Sequence, residues 1–262
     1  MAESDDVLIS QDEAGIVTVT LNKPAKRNAI SFAMWQRLGE IFTGLREQPE
    51  VRVVILTGAA GHFSAGADIS EFPEMRASAE ASHEYSEAGR IAAAAIRDLP
   101  RPTIAAAHGY CVGGGCAVAL ACDLRVGDAT TKMGIPAAKR GIVYSVIDTS
   151  NLLRAVGLSR AKLVLYSGRI FPVAECRAMG LLDEVSEAGA LEGAHALARE
   201  LAERAPLSQR GAKLTLEAIA RGELTQRAAE IAEAQRVAAS SEDYREATQS
   251  FLEKRPPVFR GR

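Results

Sequence analysis

No charge of either sign dominates this sequence: 31 Lys and Arg stand against 33 Asp and Glu, a formal net charge of −2. Without a long-range positive field the chain has no means of recruiting nucleic acid or an anionic membrane surface. An anionic ligand must therefore be held by a local site. Long apolar runs are also missing. None approaches the roughly 18 uninterrupted residues of a membrane span, and Ile91 to Ile96 and Ala117 to Ala121 are core-sized. The four cysteines, at 111, 116, 122 and 176, form no CxxC pair, and three lie in an apolar region. They read as reduced core thiols rather than metal ligands. Met1 to Asp6 is acidic and carries no basic-then-apolar leader pattern, so the expected location is cytoplasmic. Low-complexity linkers and sequence repeats are absent too. What remains is ordinary globular composition: 262 residues, 47% hydrophobic and 24% charged, ample for a buried core.

Alternating apolar residues over Val7 to Ser10 and Ile16 to Leu21 predict a hairpin. Asn22 to Asn28 reads as a loop, and Ser31 as the cap of a helix with Met34, Trp35, Leu38, Ile41, Phe42 and Leu45 on its apolar face. Val51 to Thr57 predicts a buried strand, and Gly58 to Gly66 a long loop. A polar helix through Arg76 and a second helix from about Ser82 to Asp98 are expected next. Thr103 to Ala107 reads as a strand, followed by a glycine-rich turn and a small-residue helix to Cys122. Short strands are expected over Asp123 to Val126 and Thr131 to Met133, with mostly helix from Tyr144 onward. Pro172 and Pro206 suit first-turn helix positions, and Ser241 the cap of the last helix. The fold class is α/β, a core with an appended helical tail.

Two segments join glycine to a helix start: Ala65-Gly66-Ala67-Asp68 and Gly113-Gly114-Gly115. Glycine lets backbone N–H groups approach a ligand, and a helix N-terminus adds unpaired N–H groups and partial positive charge. Two such starts aimed at one oxygen would form an oxyanion hole; equally, the glycines could serve only tight helix–strand packing. Other motifs fail. A GxGxxG pattern would need glycine at Val118, and no Walker lysine follows the glycines. Gly61 to Gly66 is one residue too long for a nucleophile elbow. The His83-Glu84 pair has Glu87 where a zinc protease needs histidine, and Ser159 to Lys162 matches SxxK without its companion motifs.

Asn22-Lys23-Pro24, Phe63-Ser64-Ala65-Gly66-Ala67-Asp68-Ile69 and Gly109-Tyr110-Cys111-Val112-Gly113-Gly114-Gly115-Cys116 occur in this order. Arg154-Ala155-Val156-Gly157 and Ala178-Met179-Gly180-Leu181-Leu182-Asp183-Glu184-Val185 follow. Over nearly its whole length the chain resembles the enoyl-CoA hydratase/isomerase (crotonase) superfamily. That resemblance implies a crotonase-like spiral of ββα units over residues 1–200 and a C-terminal helical segment over 201–262 for trimerisation and CoA cover. It further implies an acyl-CoA substrate, with coenzyme A part of that substrate rather than a cofactor, no metal, and a homotrimer or dimer of trimers. The implied oxyanion-hole amides are those of Ala67 and Gly114, and the implied CoA contacts fall at Lys26, Ala29, Ala65, Asp68 and Ile69, with Lys254 reaching from a neighbouring subunit.

The resemblance breaks at the acid–base groups. Where family hydratases carry two glutamates, this chain has Ala117 and Ala137. Methyl groups neither activate water nor deliver a proton, and each general acid or base contributes about 10²–10⁴-fold. Ordinary hydration should suffer, which leaves decarboxylation, C–C cleavage or isomerisation, or a non-catalytic acyl-CoA-binding role. Tyr144 and Asp148 are the candidate replacements: Tyr144 as a phenol that orients a carboxylate or supplies a proton, Asp148 as a base. Packing for Tyr144, and support of a helix start for Ser145 and Asp148, are the structural alternatives. Glu71 is expected as a solvated carboxylate or at the pocket mouth, His62 at the surface, and His108 as a hydrogen-bonded core residue.

Overall fold

The structure is a computed structural model and describes residues 6–75 and 77–262. A hairpin of β1 (Val7–Gln11) and β2 (Ile16–Leu21) leads to α1 (Phe32–Leu45). Ser31 caps α1, its hydroxyl accepting from the Met34 amide. Then come β3 (Val53–Gly58), the single-turn helix α2 (Phe72–Met75), α3 (Ala79–Arg97), β4 (Thr103–Ala107), β5 (Tyr110–Val112) and α4 (Gly114–Ala121). β6 (Leu124–Gly127) and β7 (Lys132–Gly134) precede α5 (Val146–Ser167), which is interrupted at Gly157 by φ 75°. The remaining elements are β8 (Ile170–Pro172), α6 (Val173–Met179), β9 (Glu184–Val185), α7 (Ala190–Ala202), α8 (Pro206–Arg221), α9 (Leu224–Ser240) and α10 (Glu242–Glu253).

Successive units feed two sheets in turn. The larger has the order β1-β2-β3-β4-β6-β9, parallel except for the β1–β2 hairpin; the smaller is β5-β7-β8. Thus β4 and then β6 extend the large sheet, while β5 and β7, which follow them, pair with each other in the small one.

The two-residue period of the strands divides the core. Val54, Leu56, Ala105 and Ala107 face α1, α3 and α4, whereas Val53, Ile55, Ile104 and Ala106 face α7. Helix α7 meets that second face through Ala190, Ala194 and Ala198, all buried. Their four-residue spacing forms a small-side-chain stripe that lets the helix lie close to the sheet. All four cysteines are free and buried. Among the described residues no helix is long and apolar enough to cross a membrane.

Several boundaries differ from the sequence expectation. The segment read as a polar helix through Arg76 is a 3-10 turn (Ile69–Glu71) plus the four residues of α2, and Arg76 lies outside the described residues. α3 starts at Ala79 rather than Ser82, because Ser78 accepts from the Ala81 amide and sets the cap earlier. The 22–28 loop contains a 3-10 turn, Pro24–Lys26, begun by its proline. Pro172 is not in a first helical turn; it ends β8 and stands at the N-cap of α6, whereas Pro206 does open α8.

Candidate active site

Two backbone crossings fix the first glycine loop. Ser64 bridges to Cys111 and Ala67 to Ile30, both parallel. The Ile30 amide donates to the Gly66 carbonyl at 2.7 Å and the Asp68 amide to the Ile30 carbonyl at 2.9 Å. In such a bridge the flanking residues make the bonds, so the central N–H, that of Ala67, points away from Ile30. The Ser64 hydroxyl donates to the Asn28 carbonyl and accepts from the Gly66 amide, which pins the turn internally.

The second loop comes up against the first. Gly113 has φ 59°, its amide donates to the Gly134 carbonyl, and Gly114 opens α4. A Cβ on Gly114 would stand 3.2 Å from the Ala67 nitrogen, and one on Gly66 3.2 Å from the Gly114 nitrogen. The two amides therefore adjoin, and neither has an acceptor among the described residues. The glycines divide the work that the sequence left undecided. Gly115 is a packing residue, since a Cβ there would come within 2.6 Å of Ser64 Cβ. Gly114 keeps the space beside Ala67 N open.

These amides sit on a cavity of about 200 Å³ that Ala117 and Ala137 also line. Tyr144, the N-cap Ser145 and Asp148 in the first turn of α5 line it as well. The Tyr144 hydroxyl is 3.7 Å from the position of a Gly113 Cβ and has no hydrogen-bond partner among the described residues. Burial pushes its phenol far above the ordinary value, with Cys116 and Asp148 adding to the shift. Ser145 caps α5: its hydroxyl accepts from the Asp148 amide at 3.2 Å and donates to Asp148 Oδ2 at 2.7 Å. Burial raises the Asp148 carboxyl, and the Ser145 hydrogen bond only partly offsets it. Asp148 and Ser145 thus support the helix start and line the cavity at once.

At the cavity mouth, Ala65 and Ile69 are exposed lining residues, while Ala29 is buried. Asp68 is buried and turned away from solvent. Burial alone would raise its carboxyl, but hydrogen bonds from Lys26, Ser70 and Lys23 outweigh that and hold it well below the usual range. Lys26 Nζ lies 2.8 Å from Asp68 Oδ2 and donates to Ser70 Oγ at 2.7 Å, so its charge is partly engaged within the loop. Lys254 follows α10 with φ 55°, exposed, and is not among the residues lining this cavity.

Three side chains sit differently from expectation. Glu71 neither faces open solvent nor reaches the cavity; its Oε2 accepts from the Phe32 amide at 2.8 Å and so supplements the cap of α1. His62 is half-buried rather than at the surface, its Nδ1 accepting from the Tyr110 amide. His108 is hydrogen-bonded to the Ala60 carbonyl, as expected, but it is half-buried rather than in the core. None of Trp35 (placed from the sequence only on the apolar face of α1), Tyr85, whose hydroxyl accepts from Trp35 Nε1, and Arg90 of α3 is marked as a site residue by the sequence, although all three line the cavity. Trp35 and Tyr85 follow the core period of their helices, and Arg90 lies on a polar face, so nothing local marks them.

Comparison with known proteins agrees with this architecture. The model of the family described as enoyl-CoA hydratase/isomerase matches residues 11–262. The mitochondrial methylglutaconyl-CoA hydratase of Mus musculus is 34% identical, over 97% of this chain and 82% of that protein. The 2,3-dehydroadipyl-CoA hydratase of Escherichia coli is 31% identical, over 97% of this chain and 99% of that protein. The crystal structure of an enoyl-CoA hydratase from Bacillus anthracis superposes with a TM-score of 0.89 at 31% identity, covering 98% of this chain and 100% of that one. With this fold, this length of match and these identities, the chain belongs to the enoyl-CoA hydratase/isomerase family of acyl-CoA-processing enzymes.

Proposed function

We propose that this protein forms and stabilises the enolate of an acyl-CoA thioester, and that hydration is not its main reaction. The observation that carries this reading is one cavity with two adjoining, acceptor-free amides on one wall and methyl groups at 117 and 137. Two preorganised N–H donors stabilise charge as it develops on a thioester oxygen, and a water-poor site strengthens them. Water addition needs acid–base groups beside the reacting carbons, which alanine does not supply.

In this reading the Ala67 and Gly114 amides hold the thioester oxygen and Asp148 is the base. Burial brings its proton affinity closer to that of a carbon-bound proton under abstraction, and Ser145 fixes its orientation. Tyr144 acts as a neutral hydrogen-bond donor; the cost of a buried phenolate disfavours it as a proton source. Proton removal at one carbon and return at another is isomerisation. Loss of CO2 from a β-carboxyl thioester would leave the same enolate on the same amides without the base, whereas C–C cleavage of a β-keto thioester would also need water at the keto carbon to take the acyl group. The backbone around Lys26, Ala29, Ala65, Asp68 and Ile69 is the proposed CoA contact, with Lys254 serving a neighbouring subunit. Assembly as a homotrimer or dimer of trimers is supported by α9, which buries no residue of its own, and by Leu216, Phe251 and Leu252, which are all exposed.

The test is exchange of the α-protons of a saturated acyl-CoA with deuterium, followed by mass spectrometry. The enzyme reading predicts exchange well above the buffer rate. A protein that only binds acyl-CoA would show affinity without exchange, and that result would retire the enolate reading.

A further inference from the structure

Among the described residues, the charged side chains that line the acyl cavity are Arg90, Arg140 and Asp148. Two of them are engaged. Arg90 Nε donates to Glu87 Oε2 at 2.7 Å, with a second bond in the same pair, and Asp148 accepts from the Ser145 hydroxyl. Arg140 ends the 3-10 turn Ala138–Arg140, and its side chain has neither a carboxylate nor a hydrogen-bond partner among the described residues. Nor is it the counterion of Asp148. Burial raises that carboxyl, the Ser145 hydroxyl opposes the rise, and no cation contributes.

The charge of Arg140 is felt at Tyr144 instead. It draws the phenol downward, against burial, Cys116 and Asp148. The sealed polar side-chain atoms without a partner belong to Arg125 and Asn151. The Tyr144 hydroxyl, equally unpartnered, is not one of them, so an occupant of the cavity it lines can reach it. With its proton held firmly, the phenol is a neutral donor. A neutral O–H donor beside an unpaired guanidinium suits a carboxylate: the cation balances the charge, and charge-assisted hydrogen bonds replace lost water. The place also fixes which anion this is. The Tyr144 hydroxyl is 3.7 Å from the position of a Cβ on Gly113, the residue before the oxyanion amide of Gly114. A group meeting it therefore lies a few bonds from the thioester carbonyl, on the acyl side, whereas the phosphates of CoA lie at the far end of the pantetheine arm.

We propose that the acyl group carries a second carboxylate, as in CoA half-thioesters of malonyl to glutaryl size, received by the Arg140 guanidinium and the Tyr144 hydroxyl. Substrate choice of this kind rests on the acyl-CoA reading of the same cavity. It adds a residue, Arg140, that selects the acyl group whatever becomes of the α-proton.

Trp35, the single tryptophan of the chain, lines the cavity, so its fluorescence reads occupancy. The full-length protein is titrated with malonyl-, succinyl-, glutaryl- and hexanoyl-CoA. At least one of the three dicarboxylic esters should bind about tenfold or more tighter than hexanoyl-CoA. Arg140→Ala should cut that preference about tenfold, and Tyr144→Phe about threefold or more. Arg90→Ala should leave it within about twofold, because Glu87 already holds that guanidinium. Arg140 is exposed and its side chain holds no other element, so its variant should fold. The proposal is overturned if no dicarboxylic ester is preferred or if the preference survives either the Arg140 or the Tyr144 variant. It is also overturned if Arg140→Ala weakens hexanoyl-CoA and free CoA as much as the dicarboxylic ester, which would put the arginine on the CoA phosphates. Deuterium exchange measured in parallel separates this from the enolate reading. Exchange without carboxylate preference retires the proposal alone, and preference without exchange retires the enolate reading alone.

Discussion

Replacing Gly114 with alanine is the smallest change that enters the space between the two glycine loops. The added Cβ would stand 3.2 Å from the Ala67 nitrogen and 3.1 Å from Trp35 Cζ2. An oxygen bound by both amides needs to come within about 2.7–3.1 Å of each nitrogen, so methyl and oxygen compete for one place. Loss of one oxyanion donor costs about 10²–10³-fold in rate, roughly 2.7–4 kcal/mol, and displacing the oxygen from both should cost no less. Stability should move little. Alanine gains up to about 1 kcal/mol of helix propensity, against a shift of a few tenths of an ångström at the Trp35 ring edge. Deuterium exchange into butyryl-CoA, read beside a thermal melt, separates the two effects. Gly115→Ala is the contrast: its Cβ would meet Ser64 Cβ at 2.6 Å, so it should lower the melting temperature before it affects chemistry. A folded Gly114→Ala protein that exchanges within about threefold of the wild type would refute the reasoning.

Introducing Ala117→Glu and Ala137→Glu together should raise crotonyl-CoA hydration by about 10²-fold or more, measured by loss of the enoyl absorbance; no gain would show a cavity shaped against water attack. Asp148→Asn should abolish most α-proton exchange. The wild-type rate should fall with acid at a pH above the ordinary carboxylate range, because burial raises this group. A carboxyl raised in the folded state stabilises the protein at low pH and loses that contribution as pH rises through its folded value. Asp148→Asn should therefore melt higher than wild type at neutral pH, with the gap closing in acid. Asp68→Ala should cost about 1–3 kcal/mol in denaturant titration, since it leaves Lys23, Lys26 and Ser70 without their shared acceptor. Asp68 is depressed in the fold, so its contribution is present above the ordinary carboxylate range and is lost as pH falls through it.

How much of this was legible in the sequence depended on how local each signal is. The continuous apolar pattern of β3 announced a buried strand, and it is there; β4, expected only as a short strand, is buried along its whole length as well. The start of β3 was read two residues early because Val51 is buried yet belongs to the preceding turn, its amide donating to the Gln48 carbonyl. Ser31 and Ser241 cap the helices assigned to them, since a cap is a three-residue event. Convergence of the two glycine loops was not legible. It rests on the Ile30–Ala67 and Ser64–Cys111 bridges, which join residues 37 and 47 positions apart. The placements of Glu71 and His62 fail for the same reason, their partners Phe32 and Tyr110 being 39 and 48 residues away.

The account stands most directly on where a bound thioester oxygen lies. A crystal structure with a non-reactive acyl-CoA analogue should place that oxygen about 2.7–3.1 Å from both the Ala67 and the Gly114 nitrogen, with the α-carbon toward Asp148. An analogue whose carbonyl is turned away from those amides, or bound outside the cavity lined by Ala117 and Ala137, would contradict it.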